Sequence, residues 1–297
     1  MKILLSTDGS EYSEWAAKFL TRLHWSWDDN ITVFHAVYWI PFRYDEEFYL
    51  GTLKEIKKEI APRILDATLD ILKPVQAKIS VAIVEGSPEQ CIVDVAVDSD
   101  MDMIVMGSRG IKGIESVFIG SVTRSVAVNS VKPVLVVKPP ISPKSGKIKI
   151  LLATDGSDYS QATMEFLSSI PFPDNTEVTI LNVIRSIIFD IPERFVMEIN
   201  KRIKKLVAST RAKEVAESEK IIELAREYLN KRFKNIHVLS KVGDPSTEII
   251  KTADTMEADI IAVGCRGLRG IKGMMGSVSR NILTHSKSSV LIGKTCK

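Results

Sequence analysis

Cysteine is scarce in this chain of 297 residues. Only Cys91, Cys265 and Cys296 are present, with no short spacing between them, which excludes a disulfide framework and a thiolate zinc site. The histidines His24, His35, His237 and His285 lack ligand-like spacing, so no metal site is expected. No apolar run reaches the ~18 residues of a membrane span. The opening residues read as a strand rather than a secretory leader, so the expectation is a cytoplasmic protein. No Ser/His/Asp or Cys/His set is available for nucleophilic catalysis, and no side chain stands out as a general base, so turnover is not expected. An unmixed basic stripe is also missing. The formal net charge is only +3, split into roughly −3 for the first half and roughly +6 for the second. Most of the second-half excess lies between Arg194 and Lys234, where Lys and Arg alternate with Glu. That pattern reads as a solvated helix carrying i,i+4 pairs, not as a nucleic-acid face.

The chain does contain a long internal repeat. Lys2-Ile3-Leu4-Leu5-Ser6-Thr7-Asp8-Gly9-Ser10 returns as Lys149-Ile150-Leu151-Leu152-Ala153-Thr154-Asp155-Gly156-Ser157. Met106-Gly107-Ser108-Arg109-Gly110, followed by Gly120-Ser121-Val122-Thr123, returns as Val263-Gly264-Cys265-Arg266-Gly267 and Gly276-Ser277-Val278-Ser279. A period of about 150 residues is the size of a whole domain rather than of a solenoid unit. The expected organisation is therefore a domain over 1–139, a Pro- and Ser-rich linker over 140–146 and a second domain over 147–297.

Within each half, apolar β-branched runs alternate with amphipathic stretches, which predicts a parallel sheet with crossover helices. In the first half, strands are expected at Ile3–Thr7, Ile31–Val37, Ile79–Val84, Met103–Met106 and Val134–Val137. Helices are expected at Tyr12–Leu23, Tyr49–Leu72, Glu89–Val97 and Val122–Asn129. Strands of the second half are expected at Ile148–Thr154, Glu177–Val183, Ile236–Lys241, Ile260–Val263 and Val290–Ile292. Gly243 lies later in its copy than Gly86 in the first, so the second copy should carry the longer second helix. The last strands, Val134–Val137 and Val290–Ile292, are the expected pairing edges, because pairing there would hide both.

Ligands of an open parallel sheet bind at the carboxyl ends of its strands, where strand order reverses. Thr7-Asp8-Gly9-Ser10 and Thr154-Asp155-Gly156-Ser157 follow the first strand of each copy, and Ser10 and Ser157 are positioned to cap the next helix. After the fourth strand, Gly-x-x-Gly and then Gly-Ser-Val-Thr or Gly-Ser-Val-Ser let the backbone approach an anion at a helix N-terminus. Ser121, Thr123, Ser277 and Ser279 would add hydroxyls, and Arg109 and Arg266 match phosphate geometry. Asp8 and Asp155 suit a ribose, a base amine or a water-bridged magnesium ion better than a phosphate. Together these parts describe a mononucleotide site in each copy.

At this point the chain resembles the universal stress proteins in tandem form, over nearly its whole length. The resemblance rests on Gly107-x2-Gly110-x9-Gly120-Ser121 and on the closing strand Pro133-Val134-Leu135-Val136-Val137. It implies two Rossmann-like domains of the adenine nucleotide alpha hydrolase-like type, each a five-stranded parallel sheet flanked by helices. The domains would pair within the chain as a pseudo-dimer, and association into a homodimer stays open. For the branch with this glycine pattern it implies ATP, ADP or AMP, with Mg2+ accompanying the phosphates. Carried onto this chain, Thr7, Asp8 and Ala36 would flank the nucleoside. Met106, Gly107, Arg109, Gly110, Gly120, Ser121, Val122 and Thr123 would surround the phosphates. In the second copy the matching positions are Thr154, Asp155, Val183, Val263, Gly264, Arg266, Gly267, Gly276, Ser277, Val278 and Ser279. This chain departs from the pattern at Ala36, where a larger aliphatic is common, and at Arg109, where many members carry His. The second spacer, Gly267-x8-Gly276, is one residue short.

Other signals carry less. Gly293-Lys294-Thr295 looks like the end of a P-loop, but Ser288 stands where glycine is needed. A PP-loop pyrophosphatase is disfavoured by Asp8 and Asp155 in the place of pyrophosphate donors. Cys265 could be a redox-sensitive thiol beside Arg266, though a small residue in a tight loop is the plainer reading. Trp39, Phe42, Tyr44, Phe48 and Tyr49 read as packing against the second helix, with a lid over a base or an association patch as alternatives. The competing function is a scaffold or chaperone-like protein with relic loops; an ATP-using enzyme is the weaker third.

Overall fold

The computed structural model describes residues 1–38, 51, 55–110, 119–139, 146–185, 201–268 and 275–295, with main chain alone at 56, 57 and 201–205. The aromatic cluster Trp39–Tyr49 and all of the expected linker except Gly146 lie outside the described residues.

The first half runs β1 (Lys2–Ser6), α1 (Glu11–Leu20), β2 (Asn30–Tyr38), α2 (Ala61–Leu72), β3 (Lys78–Gly86), α3 (Pro88–Asp98), β4 (Met103–Gly107), α4 (Ser121–Asn129) and β5 (Val134–Val137). The second half repeats this as β6 (Lys149–Ala153), α5 (Asp158–Ser169), β7 (Glu177–Ile184), α6 (Lys201–Leu229), β8 (Asn235–Val242), α7 (Pro245–Met256), β9 (Ile260–Gly264), α8 (Ser277–His285) and β10 (Ser289–Gly293). The strand order is β3-β2-β1-β4-β5-β10-β9-β6-β7-β8 in one ten-stranded sheet. Pairing is parallel within each half and antiparallel only where β5 meets β10, through Val136–Val290, Leu135–Leu291 and Val134–Ile292. These are the edges expected to pair, and the paired residues Val134–Val136 and Val290–Ile292 are all apolar and buried.

Alternation along the strands builds two cores. Ile3 and Leu5 face one side of the sheet and Leu4 the other, and the second copy does the same with Ile150, Leu152 and Leu151. Each core runs continuously across both halves, so the two copies form one folding unit around a shared sheet. Arg22 reaches across the seam to Asp259 at 3.3 Å, and the His24 N–H donates to the Pro171 carbonyl at 2.7 Å.

One element departs from its expected form. Tyr49–Leu72 reads as a single helix, but the described part has a π-helical stretch at Ile56–Ile60 before α2 begins. Pro62 sits in the first turn of α2. A proline there has no N–H and its ring crowds the carbonyl four residues back, so the preceding turn widens. The longer second helix of the second copy is borne out, at 29 residues for α6. The reversal of strand order at β1–β4 and β6–β9 opens a crevice at the carboxyl ends of those strands in each half.

Candidate functional site

The turn after the first strand is the same in both copies. Asp8 Oδ1 accepts from the Ser10 N–H (3.1 Å) and the Ser10 hydroxyl (2.6 Å). Asp155 Oδ1 accepts from Ser157 at the same 3.1 and 2.6 Å. The glycine between them has φ of 78° in Gly9 and 75° in Gly156, a left-handed conformation that glycine adopts without strain. Ser10 and Ser157 then cap α1 and α5 through the N–H groups of Ser13 and Ser160, as their positions lead one to expect.

The other carboxylate oxygen faces the second loop. A β-carbon on Gly110 would lie 2.4 Å from Asp8 Oδ2, and one on Gly267 2.5 Å from Asp155 Oδ2. The Leu268 N–H donates to Asp155 Oδ2 at 3.1 Å. Each aspartate therefore joins the two loops that form the crevice. Beneath them, the Thr7 carbonyl lies 2.9 Å from His35 Nδ1, and the Thr154 carbonyl accepts from Asn182 Nδ2 at 2.7 Å.

The third rim is a helix start without a side-chain cap. Gly120 is the N-cap of α4 and Gly276 that of α8, and neither helix has a side-chain capping bond. The first turns of both helices therefore present main-chain N–H groups and the positive end of the helix dipole toward the crevice. The Gly120 N–H donates to the Ser108 carbonyl at 2.8 Å, and the Gly276 N–H to the Cys265 carbonyl at 2.8 Å. The two rims thus meet identically in both halves although the second spacer is shorter. The length difference falls among residues outside the described part. Thr123 and Ser279 donate their hydroxyls inward to the carbonyls of Gly107 (2.9 Å) and Cys265 (2.9 Å), so toward a ligand they offer main chain.

In the second half these parts line one cleft of about 780 Å³, within the usual range for a small-molecule site. All eleven residues expected there from sequence are on its walls: Thr154, Asp155 and Val183; Val263, Gly264, Arg266 and Gly267; Gly276, Ser277, Val278 and Ser279. Asn182, Arg185, Glu214, Glu217, Ser218 and Ile221 also line it and were not expected. Asn182 was findable, since it follows Thr154 by the same interval as His35 follows Thr7. The residues from α6 were not, because they depend on how that helix leans over the sheet.

In the first half, Thr7 is buried in the turn after β1, and Ala36 is half-buried toward the end of β2. Met106 and Gly107 end β4, with Arg109 and Gly110 in the loop beyond it. Ser121, Val122 and Thr123 form the first turn of α4.

Both arginines are held by a tyrosine on the first helix of their half, α1 or α5. Arg109 Nη1 donates to Tyr12 Oη at 2.9 Å with the guanidinium 5.2 Å from the ring centre. Arg266 donates to Tyr159 Oη at 2.6 Å, 5.1 Å from the ring. The Arg109 Nε is buried and has no hydrogen-bond partner among the described residues. Tyr12 and Tyr159 recur at one offset after Thr7 and Thr154, a signal that the repeat alone carries.

Burial pushes the Cys265 thiol up, outweighing the opposing charges of Lys294 and Arg266, which argues against a reactive thiolate. Burial lowers Lys138 to about 8 with help from the Arg109 charge, and burial also lowers Lys294. Lys294 is buried and is followed by no described helix, so Gly293-Lys294-Thr295 is not a P-loop. Among the described residues, no helix is long and apolar enough to cross a membrane.

A family model, the universal stress protein family, matches residues 1–138 and 148–294. The universal stress protein MJ0531 of Methanocaldococcus jannaschii is 34% identical over 140 residues, covering 47% of this chain and 82% of that protein. The universal stress protein YxiE of Bacillus subtilis is 31% identical over 154 residues, covering 48% of this chain and 97% of its own. A solved universal stress protein from Archaeoglobus fulgidus follows 99% of this chain and 98% of its own, with a TM-score of 0.66 and 20% identity, a likeness of fold.

Proposed function

This chain belongs to the universal stress protein family, and from that premise we propose that each half binds one adenine nucleotide, ATP, ADP or AMP, in a sensing or regulatory role. The observation that carries this reading is the cleft of about 780 Å³ whose walls combine an aspartate, a glycine-rich loop and an uncapped helix N-terminus. The nucleoside lies by Asp155 and the end of β7 at Val183, and the phosphates meet the N–H groups of Ser277, Val278 and Ser279. In the first half, Asp8, Ala36 and the N-terminus of α4 take the same parts. The reading is supported by the glycine N-cap, which has no side chain to compete for those donors, and by the Arg109 Nε, which is buried without a hydrogen-bond partner among the described residues.

Among the described residues, no group of three His, Cys, Asp or Glu could hold a metal, so Mg2+ enters with the phosphates as part of the ligand. The reading is of binding with at most slow hydrolysis, in a cytoplasmic protein that engages neither nucleic acid nor membrane.

Titration with adenosine, AMP, ADP and ATP, each with Mg2+, tests it. Two charge-assisted hydrogen bonds at about 1.5 kcal/mol each make ATP about 100-fold tighter than adenosine. Equal affinity across the series would overturn the assignment of the helix N-termini to the phosphates.

A further inference from the structure

Two lysines are buried at the seam between the halves. Lys138 follows β5 and Lys294 follows β10, and each is only 9% exposed. Neither ends in a salt bridge among the described residues. Instead, each ammonium crosses to the other half and caps the C-terminus of a helix. Lys294 Nζ donates to the Ala127 carbonyl at 2.9 Å and the Val128 carbonyl at 3.4 Å, in the last turn of α4. Lys138 Nζ donates to the Leu283 carbonyl at 2.9 Å and to the Ser286 carbonyl, at the end of α8. A cation at this end of a helix satisfies orphan carbonyls and opposes the negative end of the dipole.

These two helices are the ones whose N-termini face the candidate sites. Each lysine is also joined through main chain to the site of its own half. The residue before Lys294 is Gly293, whose carbonyl accepts from the Cys265 N–H at 2.9 Å, and the Cys265 carbonyl accepts from Gly276, the N-cap of α8. On the other side, the Val137 carbonyl accepts from the Ser108 N–H at 2.9 Å, and the Ser108 carbonyl accepts from Gly120, the N-cap of α4. The bonds therefore close a ring. From the N-cap of α4 it runs down that helix to Lys294, through Cys265 to the N-cap of α8, down α8 to Lys138, and through Ser108 back to Gly120. Each helix has nine residues and spans only about 13 Å, short enough to move as a rigid rod.

We propose that Lys138 and Lys294 are positioning residues that couple the two nucleotide sites, so that filling one raises the affinity of the other. The proposal rests on the nucleotide reading above. An anion seated on one helix N-terminus orders that helix, and its C-terminal carbonyls then fix the lysine that borders the opposite rim. The second nucleotide meets a rim already ordered and gives up less conformational freedom. Because the ring is nearly symmetric, coupling is reciprocal, as linkage requires.

The test is calorimetric titration of the full chain with ATP and Mg2+. Gly276→Val reports the first site with the second blocked, and Gly120→Val the reverse. The two-site constant of wild-type protein should exceed the product of these single-site constants at least fivefold. Lys138→Met and Lys294→Met should bring that ratio to one with two nucleotides still bound, and Lys294→Arg, which keeps a cationic donor, should retain part of the excess. A ratio of one in wild-type protein overturns the coupling whatever the lysine variants do, and so does an undiminished ratio in folded Met variants. Wild-type protein that binds no nucleotide overturns instead the reading on which the coupling rests.

Discussion

Valine in place of Gly120 should abolish nucleotide binding in the first half and leave the fold intact. Gly120 has φ of −72° and ψ of 157°, an extended conformation that a β-branched residue favours. Its β-carbon would meet the Arg109 Cα at 3.4 Å and the Ser108 carbonyl at 3.6 Å, which are ordinary contacts. The two methyl groups, however, would add bulk between the 108–110 loop and the start of α4, where a phosphate oxygen would come. Losing about two charge-assisted hydrogen bonds costs about 3 kcal/mol, so affinity at that site should fall about 100-fold or more. Gly276→Val does the same in the second half, where the nearest atoms are also at 3.4 Å. Calorimetry should show one binding event lost in each variant and both lost in the double variant, with melting temperatures close to wild type. Two undiminished events in the double variant would remove the helix N-termini from the account.

Alanine at Gly107 has the opposite signature. A β-carbon there would lie 2.5 Å from the Tyr12 carbonyl oxygen, 2.6 Å from its carbon and 2.9 Å from the Ser13 nitrogen. All three are main chain of the first turn of α1, so no side chain can turn away to make room. The helix must back off from β4, carrying Tyr12 and the arginine it holds. Overpacking of this kind costs up to about 3 kcal/mol, equivalent to a fall of up to about 5 °C in the melting temperature of a folding unit of this length. Gly264→Ala meets the main chain of Tyr159 and Ser160 at 2.9 and 3.0 Å and should behave similarly. Thermal melts of Gly107→Ala and Gly120→Val side by side separate the two roles. If both melt like wild type, the close packing of α1 on β4 does not carry the stability assigned to it. The glycines of one motif thus serve different ends: Gly107 and Gly264 admit a helix, Gly110 and Gly267 admit an aspartate, and Gly120 and Gly276 leave donors open.

Much of this was legible in the sequence because the chain states it twice. Period and pattern together carry the strands, the longer second helix and the pairing of Val134–Val137 with Val290–Ile292, since an all-apolar strand at a sheet edge must be covered. The eleven residues that line the second-half cleft were legible as a group because turns, glycines and helix starts are local signals. What escaped depends on distances across the fold. Tyr12 and Arg109 are 97 positions apart, and Lys138 and Leu283 145 apart. No local signal marks Lys138 and Lys294, because only the antiparallel seam brings them under the ends of α8 and α4. The π-helical stretch before α2 was missed because apolar spacing says nothing of how Pro62 displaces the turn ahead of it.

The most direct measurement of the central claim is the nucleotide carried by the protein itself. Freshly purified chain, supplemented with ATP and Mg2+ and freed of excess, is denatured and the released nucleotide quantified by mass spectrometry. Two adenine nucleotides per chain are predicted, falling to one in Gly120→Val or Gly276→Val. No nucleotide in the supplemented wild-type protein would contradict the account and favour a scaffold whose loops are relics.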